Sequence, residues 1–402
     1  MLRKFHFLLI LISFLFPLLL GGCWDMRPMK ERGIVVGIGV DKIEGEEQIL
    51  VSLQVVDTSA LKGGTGGMGA GEKSTPSKSA VVVETSRGKT LYDAIHNFLA
   101  YSSRQITFAH NRVVILGNDL AKSDISGVLD DMYRDYQFRM ANWMFVAEKT
   151  AKEILESQTD LGAIPAIELS QMMVNETENA FTIPVHRSDF VYQLNSEGNS
   201  GFIPLAQIEQ PGINPFPRIR IEKAAIFNGN RLVDILSEDE SQGLVWLYRG
   251  QKGGTVVFPF KSSKDKEQKL VSIEVWDGKT KIIPHRSKNE LVLEIICSGK
   301  GILRESENVQ NNSTTFTTLG KSAAQVLKRR VVKTIKKAQQ INVDFLGFAR
   351  IIHQEEPELW RQLRQNWKQE FPLIRSEVSF KINIDQFGNS KSSILRNSER
   401  GD

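Results

Sequence analysis

Cys23 carries the clearest chemistry in this chain of 402 residues. It follows Leu20-Gly21-Gly22, the small residues of a lipobox, and its thiol is the expected acceptor of a diacylglyceryl group. The upstream chain fits that reaction. Arg3 and Lys4 give a basic start, and an apolar run from Phe7 to Leu20, interrupted by Ser13 and Pro17, leads to the cleavage point. This run is shorter than the about 20 apolar residues needed to span a bilayer, and Pro17 weakens a continuous helix. Residues 1–22 are therefore expected to be a signal peptide removed before Cys23, whose new amino terminus is open to a further acyl chain such as palmitate. Two chains anchor stably where one is marginal, each buried methylene contributing roughly 0.8 kcal/mol.

No other residue set has the spacing that catalysis or metal binding requires. Cys297, the second of two cysteines, lies in an apolar run without a nearby histidine, which fits a small buried side chain better than a nucleophile. The six histidines, at 6, 96, 110, 186, 285 and 353, are scattered, which argues against a zinc site. His110 lacks a paired nucleophile and reads as structural. Gly88-Lys89-Thr90 resembles the end of a phosphate-binding loop, but Val83 stands where the first loop glycine belongs, so a helix start is the better reading. Gly37-x-Gly39 is a fragment of the dinucleotide fingerprint with Lys42 in place of its third glycine, which leaves Asp41 as a turn residue. Carboxylates such as Asp130-Asp131 and Glu355-Glu356 are adjacent and diverge on a helix. There is no Gly-x-Ser-x-Gly. Binding or assembly is the remaining class, with no enzymatic activity and no cofactor; a cell-wall hydrolase lacks both paired carboxylates and metal ligands.

Composition agrees with an ordinary globular protein: 41% hydrophobic and 24% charged residues, with no second spanning segment. Loss of Arg3 and Lys4 lowers the formal net charge from +4 to +2, which gives no bulk attraction for nucleic acid.

The remaining chain reads as α+β, with mixed β-sheets packed with helices in a multi-domain arrangement. A membrane-proximal linker is expected at 23–32 and a first α/β region at 33–205. Strands at 34–41 and 49–56 form a hairpin around Gly45, and Val51, Leu53 and Val55 alternate with polar residues. A Gly/Ser/Thr/Lys segment at 62–79 reads as a flexible loop tip. Strands follow at 81–84, 112–116 and 141–147, alternating with helices at 88–101, 123–133, 150–157 and 164–179. Prolines 204, 211, 215 and 217 mark a linker at 206–217. The second α/β region, 218–390, opens with strands at 219–227 and 232–236 around Asn228-Gly229-Asn230 and a helix at 238–248. Strands at 255–260, 270–276, 281–284 and 290–298 follow, with Asp277-Gly278 as a hairpin turn. A long helix at 314–340 sets Leu327, Val331, Ile335 and Ala338 opposite Lys321, Lys328, Arg329, Arg330, Lys333, Lys336 and Lys337, with no acidic residue between. That basic face is a candidate contact for anionic lipid or an acidic subunit, although an ordinary solvated face is the commoner reading of such a pattern. Short helices at 344–353 and 357–369, a strand at 378–384 and a polar tail at 391–402 close the chain.

Taken in order, several short motifs resemble the Ger(x)C spore germination lipoproteins. They are Gly22-Cys23-Trp24-Asp25 with Arg27, the strand 33–41, Gly88-Lys89-Thr90-Leu91, the 110–117 strand, and Arg134-Asp135 before Arg139. Ala224-Ala225-Ile226-Phe227, Lys337-Ala338-Gln339, Asp344-Phe345-Leu346-Gly347 and Trp360 with Trp367 extend the likeness to the whole mature chain. Arg27-Pro28-Met29 departs from the family's usual Arg-Glu-Leu-like run. The resemblance implies the C subunit of a nutrient germinant receptor on the outer surface of the spore inner membrane, beside A-type and B-type membrane subunits, with as many as three α/β domains and no enzymatic activity. It would place Trp24 and Asp25 at the membrane surface, against headgroups or the B subunit, or as a simple tether. Direct nutrient capture by an extracytoplasmic solute-binding lipoprotein is the alternative, though the two halves are dissimilar where such proteins have similar lobes around a cleft.

Overall fold

The computed structural model describes His6 and residues 32–56, 81–157, 164–210, 217–250, 253–261, 268–287, 290–306 and 313–387. The rest of the signal segment, Cys23, Trp24, Asp25, the 62–79 loop and the 391–402 tail lie outside the described residues.

The first half supplies β1 (Arg32–Lys42), β2 (Ile49–Val56), β3 (Val81–Gly88), α1 (Leu91–Leu99), β4 (Gln105–Thr107), β5 (Val113–Leu116), α2 (Asn118–Lys122), α3 (Ser126–Arg134), β6 (Trp143–Ala147), α4 (Ala151–Glu156), α5 (Pro165–Asn179), α6 (Arg187–Asn195) and β7 (Ser200–Glu209). Then come β8 (Arg218–Asn228), β9 (Arg231–Ile235), α7 (Glu238–Arg249), β10 (Thr255–Phe260), β11 (Lys269–Ser287), β12 (Glu290–Ser306), α8 (Ser313–Gln340), α9 (Phe348–Glu355), α10 (Pro357–Leu363), α11 (Trp367–Glu370) and β13 (Arg375–Phe387). The fold is α+β.

Among the described residues there are two sheets. The first runs β3-β2-β1-β5-β6-β7-β8-β9, with β4 also beside β1. Its centre, from β1 to β7, is parallel and its two flanks are antiparallel. Parallel strands need cover on both faces, and they have it. Val36, Ile115 and Phe145 pack with Ala151, Leu155 and Leu169 of α4 and α5 on one side. Val114, Met144 and Val146 pack with Phe98, Leu129 and Phe190 of α1, α3 and α6 on the other. The second sheet, β10-β11-β12-β13, places Ile273, Leu293 and Ile295 in the same core as Leu327 and Val331 of α8.

Helix α7 belongs to both sheets. A capping box between Ser237 and Glu240 starts it. On one side Ser241 Oγ accepts the Ala224 N–H of β8 at 3.1 Å. On the other, Thr280 Oγ1 of β11 donates to Trp246 O at 2.8 Å, and the fully buried Trp246 ring meets Phe380 of β13 edge-on with centroids 4.9 Å apart.

Four expectations are corrected. Residues 206–209 are strand, not linker, and the first sheet continues past 206–217 to Ile235. Proline misled here, because Pro204 is buried inside β7 without costing a ladder bond. Its partner Ala224 points its N–H at Ser241 and its C=O at Leu236, and the β6 pairing begins only at Leu205. Asp277-Gly278 is not a hairpin turn. Asp277 adopts φ 52° and makes an irregularity within the single long strand β11, which pairs with β12 on both sides of it. The helix expected at 123–133 starts later, as α3 at Ser126, with α2 a separate short helix that ends at Lys122 before it, and β1 begins at Arg32, the last residue assigned to the linker.

Candidate functional site

Helix α8 carries seven basic residues and no acidic one. Its apolar edge, Leu327, Val331, Ile335 and Ala338, is buried. The basic residues divide into two sets that the sequence pattern merged. Arg330 and Lys337 point to neighbouring acids, with Arg330 Nε 3.0 Å from Asp239 Oδ1 of α7 and Lys337 Nζ 2.6 Å from Asp234 Oδ2 of β9. Lys337 is thus half-buried and neutralised, apart from the open face. Lys328, Arg329, Lys333 and Lys336 are exposed and, with Gln325 and Val332, line a shallow depression; Lys321 is exposed one turn and more before them. Lys333 Nζ reaches Ser237 Oγ at 3.2 Å.

A second concentration of polar contacts joins the two halves. Asp344 is buried and accepts the N–H groups of Phe348 at 2.9 Å and Ala349 at 2.7 Å, which starts α9. Burial pushes its carboxyl up to about 7, against the pull of those N–H groups. Against it lies the turn after α6, where Gly198 adopts φ 92°. Nearby, His353 Nδ1 is 3.3 Å from Glu197 Oε1, and the Arg350 guanidinium lies 6.0 Å from the Tyr192 ring and 5.9 Å from the Tyr248 ring. Arg249 donates to Pro184 O at 3.2 Å.

The motif fragments have structural work. Thr90 Oγ1 accepts Asp93 N–H at 3.1 Å and Asp93 accepts Lys89 N–H at 2.8 Å, so Gly88-Lys89-Thr90 is a helix start. A Cβ on Gly88 would come within 2.6 Å of Ala94 Cα. Asp41 is a buried strand residue rather than a turn residue; it accepts the Ala151 and Lys152 N–H groups at 2.7 and 3.0 Å and caps α4. Cys297 is buried, its thiol pushed up to about 11 by that burial. No group of three or more His, Cys, Asp or Glu among the described residues is placed to hold a metal ion. No described helix is long and apolar enough to cross a membrane.

Two buried ionisable side chains escaped the sequence reading. The Arg187 guanidinium is buried with no carboxylate partner among the described residues and donates to Met132 O at 2.6 Å and Phe138 O at 2.9 Å, pinning the segment after α3. Glu176, pushed up to about 7 by burial, accepts Phe181 and Thr182 N–H groups at 2.9 and 3.2 Å. Neither lies in a recognisable motif, and both serve backbone groups that only the folded chain brings to them.

Two family profiles match the chain in tandem. "Spore germination protein N-terminal domain" covers residues 25–208, and "Spore germination B3/ GerAC like, C-terminal" covers 222–388. The chain belongs to the Ger(x)C family of spore germination proteins. Spore germination protein KC of Bacillus subtilis (strain 168) is 26% identical over 95% of this chain and 96% of its own length. Spore germination protein B3 of the same organism is 24% identical over 93% and 95%. The crystal structure of the GerBC protein aligns with a TM-score of 0.55 at 20% identity, covering 90% of this chain and 99% of that one, which shows a shared fold. In this Ger(x)C chain the described motif residues of the second half are packing residues. Ala224, Ala225, Ile226 and Phe227 are buried in β8, Trp360 meets Trp367 edge-on at 5.2 Å, and Asp344 caps α9.

Proposed function

We propose that this Ger(x)C chain is a non-enzymatic, lipid-anchored C-type subunit of a nutrient germinant receptor, acting in receptor assembly and nutrient-triggered germination. The observation that carries the reading is the tandem match of both family segments, over 25–208 and 222–388, beginning two residues after the lipobox cysteine. In this reading Cys23 bears the lipid, the globular part sits on the outer surface of the spore inner membrane, and A-type and B-type membrane subunits are its partners. The names of the relatives, all spore germination proteins, support the process.

The test is a pull-down from spore inner membranes with a tagged copy, comparing native Cys23 with Cys23→Ala. Co-purification of two integral membrane subunits with the native form, reduced in the variant, is the expected result. Equal membrane retention and nutrient response in the variant would overturn anchoring through Cys23. Recovery of no membrane subunit with either form would favour direct nutrient capture by a solute-binding lipoprotein.

A further inference from the structure

We infer that the open face of α8 is a peripheral docking surface for an anionic phospholipid bilayer, a contact separate from the lipid on Cys23. The inference takes from the proposed function only that a membrane lies nearby.

Lys321, Lys328, Arg329, Lys333 and Lys336 recur at helical spacing on the face opposite the buried Leu327-Val331-Ile335 edge. From the first to the last the stripe runs about 22 Å at the α-helical rise. None of the five forms an ion pair within the described residues, whereas Arg330 and Lys337 on the flanks do. The neighbouring acids Asp239 and Asp234 therefore neutralise the sides of the helix and leave its crest bare. Like charges three and four residues apart, as at Arg329, Lys333 and Lys336, oppose helix formation. A face needing only solubility would mix signs.

The identity of the cations selects the partner. Four of the five are lysine. Fixed protein interfaces favour arginine, whose planar fork matches a carboxylate, and are depleted in lysine. A bilayer of anionic headgroups requires no register, and each lysine near it adds attraction independently. The depression is shallow and contains one partly buried apolar residue, Val332, so the face fits contact with headgroups rather than insertion among acyl chains.

All described strands and helices from β1 to β13, with both core clusters, lie within 32–387, so the chain from Trp24 onward retains the whole fold without a lipid. That chain is sedimented with vesicles of phosphatidylcholine alone or with one-third phosphatidylglycerol. Binding to the anionic vesicles only is expected, weakening as salt rises. Changing Lys321, Lys328, Arg329 and Lys336 to glutamine should lower that binding by up to about a thousandfold, since four surface contacts are removed. Changing four exposed lysines elsewhere, Lys42, Lys89, Lys281 and Lys368, should lower it by only about threefold or less through the loss of net charge. Absence of binding to anionic vesicles at low salt, or equal losses in the two variants, would overturn the inference. Binding to poly-glutamate without binding to vesicles would also overturn it and assign the face to an acidic protein. Because Cys23 is absent from this assay, its outcome is independent of the anchoring test.

Discussion

Gly198 and Asp344 lie against each other across the junction of the two halves: a Cβ built on Gly198 would sit 3.3 Å from Asp344 Oδ2. The carboxylate cannot swing away freely, because Phe348 and Ala349 both donate to it. Gly198 also needs its positive φ of 92°. Gly45 supplies a comparison, having φ 75° with nothing within 4 Å of a built Cβ. Gly45→Ala should cost about 1 kcal/mol for backbone strain alone. Gly198→Ala should cost about 1 kcal/mol more for the crowded carboxylate. Denaturant unfolding of the two variants measures the difference, and equal costs would mean the junction yields without resistance.

Glu176 and Asp344 make the protein less stable as pH rises toward neutrality. Each holds its proton to about pH 7 when folded because burial penalises the charge, and releases it near pH 4 when unfolded. Between those values the folded chain binds more protons, so the stabilisation is full below about pH 4 and is lost as pH climbs through about 7. Glu176→Gln preserves an oxygen for the Phe181 and Thr182 N–H groups, both of which go to Oε2. It should flatten the fall of unfolding free energy between about pH 5 and 7 by as much as about 1.4 kcal/mol per pH unit. An unchanged slope would show that Glu176 is ionised throughout.

Gly243 lets α7 and α8 touch. A Cβ there would overlap Thr334 Oγ1 and lie 2.6 Å from Arg330 O. Gly243→Ala should destabilise by about 1–3 kcal/mol through overpacking, despite the helix propensity it gains. A thermal midpoint equal to or above that of the parent would refute this packing.

Arg187→Lys should fail to replace arginine. One ammonium cannot reproduce the fork that reaches Met132 O and Phe138 O together. A loss of about 1–3 kcal/mol is expected for the carbonyl left unpaired. Trypsin should then cleave faster at Arg134 or Arg139, in the segment those bonds hold. Unaltered cleavage would count against the pinning role.

Cys297 should be inert in the folded chain. Its thiol is buried and pushed up to about 11. In the chain from Trp24, where it is the sole cysteine, maleimide should modify it orders of magnitude more slowly than in guanidinium-unfolded protein. Rapid native labelling at neutral pH would revive a reactive thiol.

Elements with strong periodicity or plain caps were legible before the structure. The 34–56 hairpin, the helix read at 88–101 and the long basic helix fall within a few residues of their observed limits in β1, β2, α1 and α8. The failures have physical causes. Pro204 looked like a strand breaker because its pairing context, a non-hydrogen-bonded site opposite Ala224, is set by residues twenty positions away. Asp277-Gly278 looked like a hairpin because a positive φ serves a bulge as well as a turn. Helix α6 went unread because its buried residues include Arg187 and Gln193 with Phe190 and Leu194, which blurs the apolar stripe. On the basic face, helical spacing gave the stripe, but only the positions of Asp234 and Asp239 separate Lys337 and Arg330 from the exposed cations.

The seam between the two family segments runs through a sheet rather than between modules. The first segment ends at residue 208, within β7, while β8 and β9, which complete that sheet, come after it. An isolated amino-terminal fragment would present the backbone of β7 as a naked margin, a template for intermolecular strand addition. During synthesis the earlier segment therefore becomes a finished surface only when β8 and β9 have been made.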